Sequence, residues 1–187
     1  MKLLIVGGGG REHAIGASVA QNKKVEKIYF APGNGGTDTI GENIAISAED
    51  IRGLLKFAKD MEIDFSIVVP EAPLVEGIVD TFEEEGLLIF GPNQKAAELE
   101  GSKVATKAFC TRHNIPTAEY IESEDRDTIR QAAVNMLEEK GVCVLKADGL
   151  AAGKGVAIAY DESAVDTFLN DVFVDKKFEG DRVVVEE

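Results

Sequence analysis

The sequence predicts an α/β protein in two parts: a doubly wound, parallel-sheet N-terminal domain over residues 1–101, then an α+β segment over residues 102–187. Three observations carry this expectation. Up to Phe90, short apolar runs alternate with stretches of helical period, which implies repeated β-α units joined by right-handed crossovers. Ile63–Val69 is almost continuously apolar, as expected of a strand covered on both faces. From Gln94 onward the alternation stops, and helices surround a hairpin at Val142–Tyr160 whose two β-branched runs flank a connection containing Gly149, Gly153 and Gly155.

In chain order, Lys2–Val6 is the first strand, Gly7 to Gly10 a turn, and Arg11 to Ala20 a helix. Strand, glycine turn and helix open many nucleotide-type units, yet the dinucleotide fingerprint fails here, because its third glycine would fall at Glu12 or, one register on, at His13. A more general property survives. Gly8, Gly9 and Gly10 admit a ligand close to the backbone, the helix N-terminus offers N–H groups to an anion, and Arg11 can add a two-pronged clamp. Glu12 suits either the first turn of the helix or a cationic substrate group. Val25–Ala31 is the second strand, and the glycine-rich loop from Pro32 to Thr37, which contains Asn34, is either ligand-facing or a structural turn. Glu42–Ile46 supplies a third strand. Ser47 is expected to cap a helix whose apolar face is Ile51, Leu54, Leu55 and Ala58. The strand at Ile63–Val69 ends in Pro70-Glu71-Ala72-Pro73, so Glu71 sits where open α/β sheets place their ligands. One helix from Leu74 to Glu85, stopped by Gly86, and a strand at Leu87–Phe90 complete this part.

In the second part, Lys95–Gly101 forms a short helix and Ser102 caps another from Lys103 to His113. Thr117–Ile121 is extended and Asp125–Lys140 is a long amphipathic helix. After the hairpin, Asp161–Asp175 turns Val165, Phe168, Leu169 and Val172 inward, and Arg182–Glu187 is an apolar strand ending in two acids. Lys146 lies on the first hairpin strand and Lys154 in its loop, beside glycine amides free to turn toward an anion. That chemistry suits phosphate; an ordinary flexible hairpin with solvated lysines is the plainer alternative. The loop is not a Walker A motif, since three residues separate Gly149 from Gly153, and Gly155 rather than Ser or Thr follows Lys154.

With 187 residues, 44% of them hydrophobic, the chain can bury a proper core. Its formal charge of −14 opposes nucleic acid or an anionic membrane as partner, so a phosphate site has to be assembled locally from amides and a few cations. Cys110 and Cys143 show no CxxC or zinc spacing, and Cys143, inside a strand-like run, reads as core. No apolar run approaches membrane-spanning length and the N-terminus enters a strand directly. The expectation is a soluble, unprocessed, cytoplasmic protein.

Five stretches together resemble one family: Gly7-Gly8-Gly9-Gly10-Arg11-Glu12-His13-Ala14, Ala31-Pro32-Gly33-Asn34-Gly35-Gly36-Thr37, Pro70-Glu71-Ala72-Pro73-Leu74-Val75, Leu99-Glu100-Gly101-Ser102-Lys103, and Lys146-Ala147-Asp148-Gly149-Leu150-Ala151-Ala152-Gly153-Lys154-Gly155. In order and spacing they are similar to the phosphoribosylamine–glycine ligases (glycinamide ribonucleotide synthetases), and the match runs from end to end. The resemblance implies an ATP-grasp enzyme of purine biosynthesis that joins glycine to 5-phosphoribosylamine with cleavage of ATP to ADP and phosphate, residues 102–187 being the first part of the ATP-grasp fold. Two departures stand out. Val69 occupies a position where the family usually has Gly before Pro-Glu-Ala-Pro. Family members are also much longer, so the chain reads as an N-terminal portion ending where the adenine-contacting hinge begins.

The resemblance further implies roles. Lys103 and Lys146 would hold ATP phosphates, Gly149, Gly153, Lys154 and Gly155 would form a mobile lid, and Glu186 and Glu187 would contact adenine. Gly8, Gly9, Gly10, Arg11, Glu12, Asn34 and Glu71 would hold phosphoribosylamine. Magnesium or manganese would bridge the phosphates, with its protein ligands beyond residue 187 and no catalytic residue assignable in this portion. Two other readings stay open: another ATP-grasp carboxylate–amine ligase, formate-using or carboxylating, and a non-catalytic module that binds a phosphosugar or nucleotide.

Overall fold

The computed structural model describes every residue except Ala152 and Glu179. The chain forms two compact units, Met1–Ala97 and Glu98–Glu187.

The first unit is built on a five-stranded, all-parallel sheet of order β3-β2-β1-β4-β5. Strand β1 (Lys2–Gly7) is central, and Leu3, Leu4, Ile5 and Val6 are all buried, as a strand covered on both faces demands. It pairs with β2 (Lys27–Pro32) from Lys2↔Lys27 to Gly7↔Pro32, and with β4 (Phe65–Val68) from Leu3↔Phe65 to Val6↔Val68. The short strands β3 (Glu42–Asn43) and β5 (Ile89–Phe90) close the edges. Helix α1 (Gly10–Val19) covers one face, where Ile15 and Val19 meet Ile5, Ile28 and Phe30. Leu54 and Ala58 of α2 (Ile51–Asp60), with Ile78, Val79 and Phe82 of α4 (Ile78–Glu84), meet Leu4, Val6, Tyr29 and Ala31 on the other. Alternate residues of one strand thus serve two cores, and the doubly wound fold read from the sequence is the one observed.

Two local expectations are corrected. Asp50, not Ser47, caps α2: its carboxylate accepts the Gly53 N–H at 2.9 Å, while the Asp50 N–H itself closes a turn onto the Ser47 carbonyl. The helix expected from Leu74 to Glu85 is two pieces, α3 (Glu71–Val75) and α4. Gly77 stands between them at φ +87°, a left-handed conformation that ends a helix. Gly86, at φ +73°, stops α4 as expected.

Helix α5 covers Gln94–Gly101 and α6 covers Lys103–Arg112, with Ser102 capping α6 by accepting the Ala105 N–H at 3.0 Å. The second unit carries a four-stranded antiparallel sheet of order β6-β9-β7-β8, made of β6 (Tyr120–Ser123), β7 (Cys143–Ala147), β8 (Val156–Ala159) and β9 (Val183–Glu186). The last strand in sequence is therefore inserted between β6 and β7. On one face Cys143, Leu145, Ala147, Val183 and Val185 are buried beneath α7 (Arg126–Lys140) and α8 (Glu162–Phe173), which contributes Val165, Phe168, Leu169 and Val172. Cys143 is core, as read from the sequence. The opposite face presents Val144, Lys146, Val184 and Glu186, continued on the edge strand by the exposed Val156 and Ile158.

Candidate functional site

Each unit gathers part of the residues singled out from the sequence. In the first unit the sheet runs β1, β2, β3 outward and then crosses to β4, so the strand order reverses between β1 and β4. Open α/β sheets bind ligands at the C-terminal ends of the strands beside such a reversal; Gly7 ends β1 there, Glu71 follows β4, and Gly33 follows the neighbouring β2. Gly7 turns at φ +121°, and Gly9 is the N-cap of α1. The loop after β2 lies directly against this turn: the Gly33 N–H donates to the Gly7 carbonyl at 3.1 Å, and a Cβ on Gly8 would stand 2.7 Å from the Gly33 carbonyl oxygen. Only glycine permits that approach. Asn34 ties the two loops together, its amide donating to the carbonyls of Gly8 (2.9 Å) and Gly9 (3.3 Å) and its Oδ1 accepting the N–H of Gly36 (2.7 Å) and Thr37 (3.1 Å).

Glu12 takes up the first of its two sequence readings, in the first turn of the helix. It is buried, and its carboxylate accepts the Gly9 N–H at 2.8 Å from the third position of α1. Arg11 and Glu71, expected each to face substrate, face one another across the reversal in a bidentate pair, Nη1–Oε1 at 2.7 Å and Nη2–Oε2 at 3.2 Å. That contact holds the Glu71 carboxyl below the usual carboxylate range, helped by a backbone hydrogen bond. The result is a glycine turn at a helix start with a guanidinium beside it, an arrangement for an anion.

In the second unit a cleft of about 370 Å³ opens on the sheet face that α7 and α8 leave bare. Lys103, Thr106 and Lys107 of α6, Thr117, Lys146 and Glu186 border it. Glu186 lies between two ammonium groups: Oε1 pairs with Lys146 and Oε2 with Lys107. Lys107 also donates to Thr117 Oγ1 (2.8 Å) and to the Ala118 carbonyl (3.1 Å) and stands over the Tyr120 ring at 5.3 Å. Lys103 reaches the Gly149 carbonyl at 2.7 Å, and Asp148 accepts the N–H of Lys103 (2.7 Å) and Val104 (3.2 Å) and the Ser102 hydroxyl, fastening the start of the glycine loop to the start of α6.

Burial alone pushes the Glu186 carboxyl up, but Lys107 and Lys146 outweigh it and hold the carboxyl below its ordinary value. A carboxylate with a depressed folded value contributes stability that is fully present above the unfolded value, about 4.3, and is lost as pH falls through the folded one. The expected result is that Glu186→Gln flattens the acid side of the stability–pH curve below about pH 4.3, measured by urea unfolding at stepped pH. An unchanged slope would show that Glu186 titrates alike in both states.

The structure brings Lys103, Lys146 and Glu186 together, but not Glu187. Successive strand residues point to opposite faces, so the Glu187 side chain pairs with Lys140 at 3.0 Å, away from the cleft. Lys154 is exposed and does not border the cleft, Gly153 is exposed at φ +77°, and the Gly155 carbonyl accepts the Ala147 N–H at 2.8 Å. The expected lid from Gly149 to Gly155 includes Ala152, which lies outside the described residues. Sequence reading missed Lys107, although its place one helical turn after Lys103 puts both on one face of α6. Among the described residues no group of three or more His, Cys, Asp or Glu side chains is placed to hold a metal ion.

Comparison with known proteins adds family to geometry. A family model described as phosphoribosylglycinamide synthetase, N domain, matches residues 1–100, and one described as the ATP-grasp (A) domain of that synthetase matches residues 101–187. A phosphoribosylamine–glycine ligase of Yersinia pestis is 52% identical over 192 residues, spanning 100% of this chain and 44% of the relative. The crystal structure of the Thermotoga maritima phosphoribosylamine–glycine ligase superposes with a TM-score of 0.76 at 30% identity, covering 100% of this chain and 44% of that one. The Staphylococcus aureus N5-carboxyaminoimidazole synthetase complexed with ADP shares the fold, with a TM-score of 0.72 at 16% identity, over 100% of this chain and 46% of that one. This chain thus spans 44% of the length of the Yersinia relative.

Proposed function

Given that this chain belongs to the phosphoribosylglycinamide synthetase family, we propose that it supplies the phosphosugar site and half of the nucleotide site of an ATP-dependent ligase. The whole protein joins glycine to 5-phosphoribosylamine, giving glycinamide ribonucleotide, ADP and phosphate in purine biosynthesis. The observation that carries this reading is that Lys103 and Lys146, on separate elements, border one cleft beside a glycine-rich hairpin.

In this reading the glycine carboxylate attacks the γ-phosphate of ATP, and the amine of phosphoribosylamine then displaces phosphate from the acyl phosphate. Such chemistry depends mostly on positioning and charge neutralisation. Lys146 and Lys103 neutralise phosphate oxygens, and Gly149, Gly153, Lys154 and Gly155 close over them. Glu186 lies toward the base. Gly8, Gly9, Gly10 and Arg11 take the sugar phosphate, with Glu71 and Asn34 holding that site in shape. Magnesium or manganese belongs to the reaction, but no set of residues here is assigned to it. The setting is cytoplasmic, with small-molecule partners. The net charge of −14 supports the lack of a nucleic-acid or anionic-membrane role, and among the described residues no helix is long and apolar enough to cross a membrane.

Isothermal titration tests the two halves separately. Lys146→Ala is expected to weaken ATP binding by about tenfold or more, the loss of one charge-assisted contact, while ribose 5-phosphate binding is unaffected. ATP binding unchanged by that substitution would sink the cleft assignment. Glycine- and phosphoribosylamine-dependent ADP release by the whole protein tests the reaction itself.

A further inference from the structure

Lys107 and Lys146 share one carboxylate but are held very differently. Lys107 is 8% exposed, donates to Thr117 Oγ1 and the Ala118 carbonyl, and forms an ion pair with Glu186 Oε2. The Lys146 side chain is 27% exposed at the edge of open space, and Glu186 Oε1 is its one acidic partner among the described residues. One cation is fixed; the other is held by a single contact. Glu186 itself is 7% exposed.

Resting on the reading of this cleft as a nucleotide site, we propose that Lys107 is a positioning residue: it keeps the Glu186 carboxylate compensated and in place while Lys146 turns from it to phosphate oxygens. The physical reason is the asymmetry of buried charge. A carboxylate at this depth is strongly disfavoured once its last cation leaves. With Lys107 present, Lys146 can depart and Glu186 remains paired. Without Lys107, the departure of Lys146 strands the carboxylate, so Lys146 stays locked to Glu186 and is withheld from the ligand. Lys107 is buried against Glu186, Thr117 and Ala118 and acts through Glu186 and Lys146.

The test is a double-substitution cycle read by isothermal titration of the whole protein with ATP. Lys107→Met is expected to weaken ATP binding about a hundredfold, the order associated with an unpaired buried charge. In a Glu186→Gln background, where no carboxylate can be stranded, the same Lys107→Met change is expected to alter affinity by less than about threefold. A role confined to packing would give equal losses in both backgrounds, because the methionine and the lost Thr117 and Ala118 contacts are common to both. Equal losses, or no loss in either background, overturn the proposal. If Lys107→Met alone does not fold, the comparison within the Glu186→Gln background decides, a loss beyond about tenfold there overturning it. ATP affinity of the unaltered whole protein separates the two levels: no binding removes the nucleotide reading and this proposal together, whereas normal binding with equal losses removes this proposal alone.

Discussion

Glu186→Ala is expected to destabilise the second unit by about 3–5 kcal/mol, the range found when one partner of a buried ion pair is removed. Lys146 can turn to solvent, but Lys107, at 8% exposure, cannot. Its ammonium would keep the Thr117 hydroxyl and the Ala118 carbonyl and lose its only counter-charge among the described residues. The check is urea unfolding, with the midpoint shifting and the slope unchanged. Adding Lys107→Met to Glu186→Ala is expected to recover most of the loss, since apolar replacement of a buried pair is often neutral. A single-variant loss below about 1 kcal/mol, the value of an exposed pair, would show that Lys107 reaches water.

Gly7→Val is expected to cost the first unit about 3 kcal/mol and to abolish ribose 5-phosphate binding. Two effects add. A β-branched residue at φ +121° carries strain of about 1–3 kcal/mol. The new Cβ would also stand 2.4 Å from Glu12 Oε1, so the buried carboxylate must move and the Gly9 N–H loses its acceptor, a further cost of about 1–3 kcal/mol. Gly10→Ala is the control for stability, because a Cβ there meets nothing within 4 Å and the position is helical. Thermal unfolding of the two variants should therefore separate cleanly. A Gly7→Val protein as stable as the Gly10→Ala protein would show that the turn relaxes without strain.

Periodicity and punctuation made most of the architecture legible. The alternating β-α pattern up to Phe90, the continuous apolar run at Ile63–Val69, the Ser102 cap, the Gly86 stop and the inward face of α8 are local properties of the chain, written at intervals of a few residues. Where two local signals competed, sequence alone chose poorly. Ser47 and Asp50 are both competent caps, and the turn between them decided for Asp50. Gly77 was visible inside an apolar pattern, but its positive φ, which splits α3 from α4, was not.

The candidate site divides along the same line. By itself the sequence determined which residue types were available for an anion: the glycine turn at Gly7 to Gly10, Arg11, Lys103, Lys146 and the hairpin glycines, all carried by short motifs. Tertiary structure alone decided how they are used. The insertion of β9 between β6 and β7 is a long-range pairing that no local pattern encodes, and it sends Glu186 into the lysine cleft and Glu187 to the far face. Burial likewise decided that Glu12 serves the Gly9 amide and that Lys107 faces Glu186. Those outcomes depend on distance and exposure, because a charge's preference for a partner is set by which groups share its space once water has been excluded.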